Sequence, residues 1–146
     1  MHLTYSMYHK LRLLLDSIRF EHTVFALPFA YLGMVLAAEG LPSWHQFIWV
    51  TVAMASARTL AMSSNRIIDS NIDAKNPRTK LRHIPDGTIR KSEMTVMAIG
   101  SLVMFFVAAY MLNELAFLLA PIAVVVVVGY SYTKRFTWAS HLILGF

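Results

Sequence analysis

Leu115-Ala116-Phe117-Leu118-Leu119-Ala120-Pro121-Ile122-Ala123-Val124-Val125-Val126-Val127-Val128-Gly129-Tyr130-Ser131-Tyr132 carries no charged side chain along its whole length. Such a run approaches the ~17–25 residues that a helix needs to cross the ~30 Å hydrocarbon core of a bilayer. Pro121 interrupts it, and a membrane helix tolerates that. Three more runs of the same kind precede it, at 22–38 with Pro28 inside, at 46–66 with Arg58 in its apolar part, and at 93–112. Four such stretches predict an all-α, polytopic transmembrane helical bundle.

Composition agrees. The chain has 146 residues, 57% of them hydrophobic and 14% charged, where soluble domains run near ~45–50% and ~25%. Disorder, which needs low hydrophobicity and high charge, is excluded. With no Cys, a disulfide scaffold, a thiolate zinc site, an iron–sulfur cluster and a Cys nucleophile are excluded as well. A net charge of +5 and a pI near 9.7 would suggest nucleic acid in a soluble chain. Here the apolar runs exclude that partner and imply membrane lipid instead.

The surplus charge is placed asymmetrically. Lys10, Arg12 and Arg19 precede the first run, six cations lie between the second and third, and Lys134 and Arg135 follow the fourth. The turns near 39–45 and 113–114 hold no Lys or Arg. By the positive-inside rule, the N-terminus and a loop at 74–92 face the cytoplasm, which predicts an integral protein of the cell's inner membrane. Residues 8–20 place Leu11, Leu14, Leu15 and Ile18 at helical spacing, as an interfacial helix would. The run at 22–38 is long for a signal-peptide core and more runs follow, so a retained helix is expected. After Lys134 and Arg135 an apolar pattern resumes at 138–146. As a helix it rises only ~13 Å, which reads as a truncated fifth span; a short amphipathic surface tail is the other reading.

Chemistry concentrates in Asn65-Arg66-Ile67-Ile68-Asp69-Ser70-Asn71-Ile72-Asp73. Asn65, Asp69 and Asp73 are spaced i, i+4, i+8, which puts them on one stripe of a helix. Two carboxylates and an amide oxygen there suit Mg²⁺, which takes one or two carboxylates plus substrate phosphates. Alternatively, the aspartates mark a solvated helix end facing the basic loop. That loop, from Ala74 to His83, carries Lys75, Arg78, Lys80 and Arg82. Beside a metal, Lys75 and Arg78 are suited to a diphosphate, Arg by its bidentate fork and Lys as a point charge. Each alone is also an ordinary positive-inside residue. Pro77 ends the helix and Pro85-Asp86-Gly87 reads as a turn.

The run Asn65-x-x-x-Asp69-x-x-x-Asp73, continuing Ala74-Lys75-Asn76-Pro77-Arg78-Thr79, resembles the first aspartate-rich motif of the UbiA family of intramembrane prenyltransferases. Ala57-Arg58-Thr59-Leu60-Ala61-Met62 and Tyr130-Ser131-Tyr132-Thr133-Lys134-Arg135 resemble its quinone-biosynthesis branch, of the 4-hydroxybenzoate polyprenyltransferase type. The resemblance covers nearly the whole chain from Ile18-Arg19 onward. It implies a nine-helix membrane enzyme with a central cavity. Such an enzyme transfers a polyprenyl group from an allylic prenyl diphosphate to an aromatic acceptor, 4-hydroxybenzoate or a naphthoate, in ubiquinone or menaquinone biosynthesis. Two aspartate-rich motifs would hold Mg²⁺ on the diphosphate. Carried over by motif, Asn65, Asp69 and Asp73 are the first metal set, with Asp69 and Asp73 catalytic. Arg66 and Lys134 would contact the diphosphate, and Tyr130 would line the cavity. Arg58 would meet the acceptor carboxylate, or else form an interhelical hydrogen bond or a structural ion pair.

A second Asp-x-x-x-Asp is absent from these residues, and the family places it in the half that would follow Phe146. Residues 1–146 therefore read as an N-terminal half that needs a complementing C-terminal half for turnover. Two rivals remain at this level. A non-catalytic membrane remnant or subunit would bind prenyl diphosphate or a partner without turnover. A CDP-alcohol phosphotransferase-like enzyme would also use intramembrane aspartates, but Ala57-Arg58 lacks the preceding Asp-x-x-Asp-Gly of that pattern.

Overall fold

A computed structural model describes residues 2–19, 21–38 and 40–133. They form five helices in chain order: α1 (His2–Ser17), α2 (Glu21–Ala37), α3 (Trp44–Asp73), α4 (Lys91–Leu112) and α5 (Glu114–Thr133). Expectations for Lys134 and for the stretch 138–146 fall outside the described residues.

Local chemistry sets most of the boundaries. Ser43 opens α3 with a capping box, its hydroxyl accepting from the Gln46 N–H at 3.2 Å while the Gln46 side chain accepts from the Ser43 N–H at 2.8 Å. Each bond satisfies a backbone donor that a helix start leaves unpaired. A single residue, Asn113, separates α4 from α5; its Oδ1 accepts from the Ala116 N–H at 2.7 Å and so caps the second helix. Pro28 and Pro121 sit inside α2 and α5, as the apolar runs require. Past α3, the turn at Pro85-Asp86-Gly87 closes through Gly87 N–H to the Ile84 carbonyl at 3.1 Å. Gly87 has φ +81 there, a conformation in which a side chain would clash.

α3 runs without a break from the apolar stretch at 46–66 through to Asp73, so Asn65, Asp69 and Asp73 all ride on one continuous helix that stops before Pro77. It is also the hub of the fold, packing most extensively on α4 and touching α2 and α5. Apart from Leu60, Met94 and the two aspartates, the buried positions along these helices are small: Ser56, Ser63, Ser64 and Ser70 on α3, Ala98, Ala108 and Ala109 on α4, Ala120 and Ser131 on α5. Small side chains let helix backbones approach closely, which is how helices associate where lipid removes the hydrophobic drive. Val96, Val103, Leu118 and Val125 point outward instead.

α4 and α5 are long and apolar enough to cross a membrane, yet only 17% and 11% of their apolar windows are buried. A soluble protein's core helix of that composition would be mostly enclosed. Residues Thr23–Ala37 of α2 form a shorter apolar helix. The described residues thus make an all-helical membrane bundle.

At one end, the apolar face of α1 finds a protein partner. Leu14, Leu15 and Ile18 pack against a cluster built on Ile89 and Met94, with Met62, Ile67 and Ile84 around it. Lys10 Nζ reaches Glu93 Oε1 at 2.6 Å. α1 is therefore part of a cap that covers the end of α3 and the start of α4.

Candidate functional site

The stripe on α3 ends under this cap. Asp69 and Asp73 are buried, at 8% and 7% exposure, and Asn65 is half-buried. A solvated helix end would leave the two carboxylates open, so burial separates them from that reading. A buried carboxylate needs a counter-charge and hydrogen bonds to stay ionised. For Asp73 the partner is Arg82, whose Nη1 donates to Asp73 Oδ2 at 2.7 Å. The same turn is closed by the Thr79 hydroxyl donating to the Asp73 carbonyl at 3.1 Å.

Arg66, one turn before Asp69, lies within electrostatic reach of Asp69, Asp73, Arg82 and Arg19. Its Nε donates to the Ser17 carbonyl at 3.0 Å, which holds the guanidinium against the end of α1. Beside it opens a polar cavity of about 300 Å³, lined by Arg19, Arg66, Arg82 and His83 together with Asp16 and Glu21. His83 Nε2 is 3.4 Å from Asp16 Oδ2. Arg19 enters the lining with φ +50, in the left-handed region that non-glycine residues rarely adopt. In the loop, the Thr88 side chain and backbone N–H hold the Asp86 carboxyl below the usual carboxylate range.

The remaining expected residues are spread out. Lys75 and Arg78 are exposed on the loop, and the Arg78 N–H bonds the Asn76 side chain at 3.0 Å. Arg58 is deeper on α3, half-buried, with its Nε enclosed and without a hydrogen-bond partner. Tyr130 is half-buried in the last turn of α5. Among the described residues, no group of three or more His, Asp or Glu side chains converges as a metal cage. The donor set on α3 is instead two carboxylates and an amide, which suits Mg²⁺ completed by phosphate oxygens and water.

Sequence reasoning passed over Arg82 as a site residue. It was one cation among several on a basic loop, and no spacing rule selects the one that folds back onto a buried carboxylate nine residues earlier. Arg19, Asp16 and His83 were missed for the same reason: the cavity exists only once α1 docks.

Comparison with known proteins agrees with this geometry. The model of the UbiA prenyltransferase family matches residues 26–146. A 4-hydroxybenzoate octaprenyltransferase of Aliivibrio fischeri is 30% identical over 113 residues, covering 77% of this chain and 40% of the relative. Its counterpart in Haemophilus ducreyi is 33% identical over 113 residues, covering 77% and 41%. The apo structure of a UbiA homolog from Aeropyrum pernix superposes with a TM-score of 0.81 at 33% identity, covering 86% of this chain and 46% of that one. The chain thus spans about two fifths of the length of the curated relatives it matches. With the family model matching most of its length and its helical architecture superposing on that of a homolog, the chain belongs to the UbiA prenyltransferase family.

Proposed function

We propose that this chain supplies the first metal and diphosphate site of an enzyme that transfers a polyprenyl group from an allylic prenyl diphosphate to an aromatic acceptor. The observation that carries the reading is the buried Asp69–Asp73 stripe with Arg66 and Arg82 beside it. The relatives from Aliivibrio fischeri and Haemophilus ducreyi are named as 4-hydroxybenzoate octaprenyltransferases. By extension, the acceptor here is 4-hydroxybenzoate and the product a precursor of ubiquinone; a naphthoate on the way to menaquinone is the other acceptor of the same chemistry.

Asn65, Asp69 and Asp73 would hold Mg²⁺, which neutralises charge building on the departing diphosphate. Arg66, held in place by the Ser17 carbonyl, faces the same developing charge. Lys75 and Arg78 add cationic reach from the loop, a role that the family motif also implies for Lys134. As the allylic C–O bond breaks, its electron pair leaves with the diphosphate, and a carbon of the electron-rich ring attacks the allylic fragment. The ring then loses a proton. Apolar helices keep water from that electrophile. Arg58, with an enclosed Nε lacking a partner, fits an acceptor carboxylate, and Tyr130 the wall of the cavity. The asymmetry of Lys and Arg supports a cytoplasmic loop and N-terminus, in an inner membrane.

A second reading is a membrane subunit that binds prenyl diphosphate without turnover. Both readings are tested by farnesyl diphosphate binding to the chain in lipid nanodiscs, with and without Mg²⁺, followed by addition of 4-hydroxybenzoate. Mg²⁺-dependent binding that Asp69→Ala abolishes, with membrane insertion intact, is the expected result. Prenylated product, with the chain alone or with a complementing C-terminal half added, selects the enzyme; binding that gives no product even with that half present selects the subunit. Binding indifferent to Asp69→Ala would remove the metal site.

A further inference from the structure

We propose that Arg82 is a placeholder for the metal: it neutralises Asp73 while the site is empty of substrate, and passes to the diphosphate when a divalent cation takes its place. This rests on the reading of the α3 stripe as a metal and diphosphate site. Asp73 is the reason a placeholder is needed. Its side chain is only 9% exposed, and Arg82 Nη1 approaches its Oδ2 to 2.7 Å. A buried carboxylate left without a cation is strongly unfavourable, so some positive charge must stay beside it at every stage. A metal ion and a guanidinium sharing this one carboxylate would repel each other, so each weakens the other's hold on it.

Arg82 has somewhere to go. Its side chain is 39% exposed and already lines the polar cavity beside Arg66, Arg19 and His83. Arg66 does not yield that space, because its Nε is tied to the Ser17 carbonyl. With the cavity empty of an anion, repulsion between Arg66 and Arg82 keeps Arg82 on Asp73. With a diphosphate there, the cavity becomes the better place for both guanidiniums, and Asp73 is released to the metal. Metal and diphosphate then bind cooperatively, each making room for the other, and linkage requires the effect to be mutual. The practical consequence is that metal alone binds poorly, so the site is charged with Mg²⁺ only together with its substrate.

The experiment is Mn²⁺ binding, followed by EPR, to the 146-residue chain in zwitterionic lipid nanodiscs, with and without inorganic pyrophosphate. In the wild-type chain, pyrophosphate is expected to tighten Mn²⁺ binding. Arg82→Gln is expected to tighten Mn²⁺ binding in the absence of pyrophosphate by up to about fivefold, to weaken pyrophosphate binding, and to abolish the coupling between them. Arg82→Lys, which keeps the charge, should restore most of the coupling. An arginine that merely braces the loop would weaken both ligands when removed. Mn²⁺ binding to Arg82→Gln that is unchanged, weaker or absent overturns the exchange. Asp69→Asn separates this from the underlying assignment. If it weakens Mn²⁺ binding while Arg82→Gln fails to tighten it, only the exchange falls; if it leaves Mn²⁺ binding untouched, the metal site falls with it.

Discussion

At its capped end, the molecule is joined by charges and a hydrophobic cluster; along its shafts, it is joined by little more than close contact. Lys10 meets Glu93, Arg82 meets Asp73, Arg66 meets the Ser17 carbonyl, and Ile18, Ile89 and Met94 are buried beneath them. Along α3, α4 and α5 the buried residues are mostly Ser and Ala; the Ser56 hydroxyl turns back to the Val52 carbonyl at 2.6 Å, and the buried Ser63 hydroxyl makes no hydrogen bond among the described residues. The contrast follows from the two solvents. Where water is near, burying apolar area is itself favourable, and Leu, Ile and Met are drawn inward. Where lipid is the solvent, those side chains gain nothing by facing protein, so shape and close approach select small residues. A functional stripe at the junction, shielded from both solvents, is where charge can be held dry and still be reached.

Met94 offers the sharpest way to break the comparison. It is fully buried at the foot of the cap, and Met94→Ala should cost about 2–5 kcal/mol of local stability through the cavity left behind. Hydrogen exchange should show the loop 74–90 losing protection while α5 keeps its own. Equal loss in α5 would mean that cap and shafts are one cooperative unit.

The complementary change is Ala108→Leu, at a fully buried position on α4. Overpacking should cost about 1–3 kcal/mol, read as a lower thermal midpoint in detergent, whereas Val125→Leu on the 71%-exposed outer surface of α5 should leave it unchanged. If both behave alike, the shafts are not selected by close approach.

The smallest effect belongs to Asp86. Its carboxyl is held below the usual range by Thr88, so the charged form favours the folded turn. That contribution is present above the ordinary carboxylate range and is lost as pH falls through the lowered value. Because the group is exposed, acidification or Asp86→Ala should raise only the proteolytic nicking rate within the loop. No difference between pH 7 and acid conditions would show the turn to be held by Gly87 alone.

Much of this was legible without coordinates. The uncharged runs, the helical spacing of Asn65, Asp69 and Asp73, and the turn at Pro85-Asp86-Gly87 are local properties, set by transfer energy and backbone geometry within a few residues. α3 continues past its apolar stretch to Asp73 and stops before Pro77, as the helical spacing of the stripe and the proline together require. The amphipathic pattern of α1 states only that one side is apolar, and leaves unspecified the cluster of Ile89 and Met94 on which that side packs.

By itself, then, the amino-acid order determined an all-helical membrane bundle, a carboxylate stripe and its family. Tertiary structure decided that the stripe is buried rather than solvated, that Arg82 and not Lys75 or Arg78 compensates Asp73, and that α1 closes the cavity with Arg19 and His83. The physical reason is range. Helix and membrane preference are summed over neighbours in the chain, whereas a counter-charge is chosen by which side chain the folded loop brings within hydrogen-bond distance.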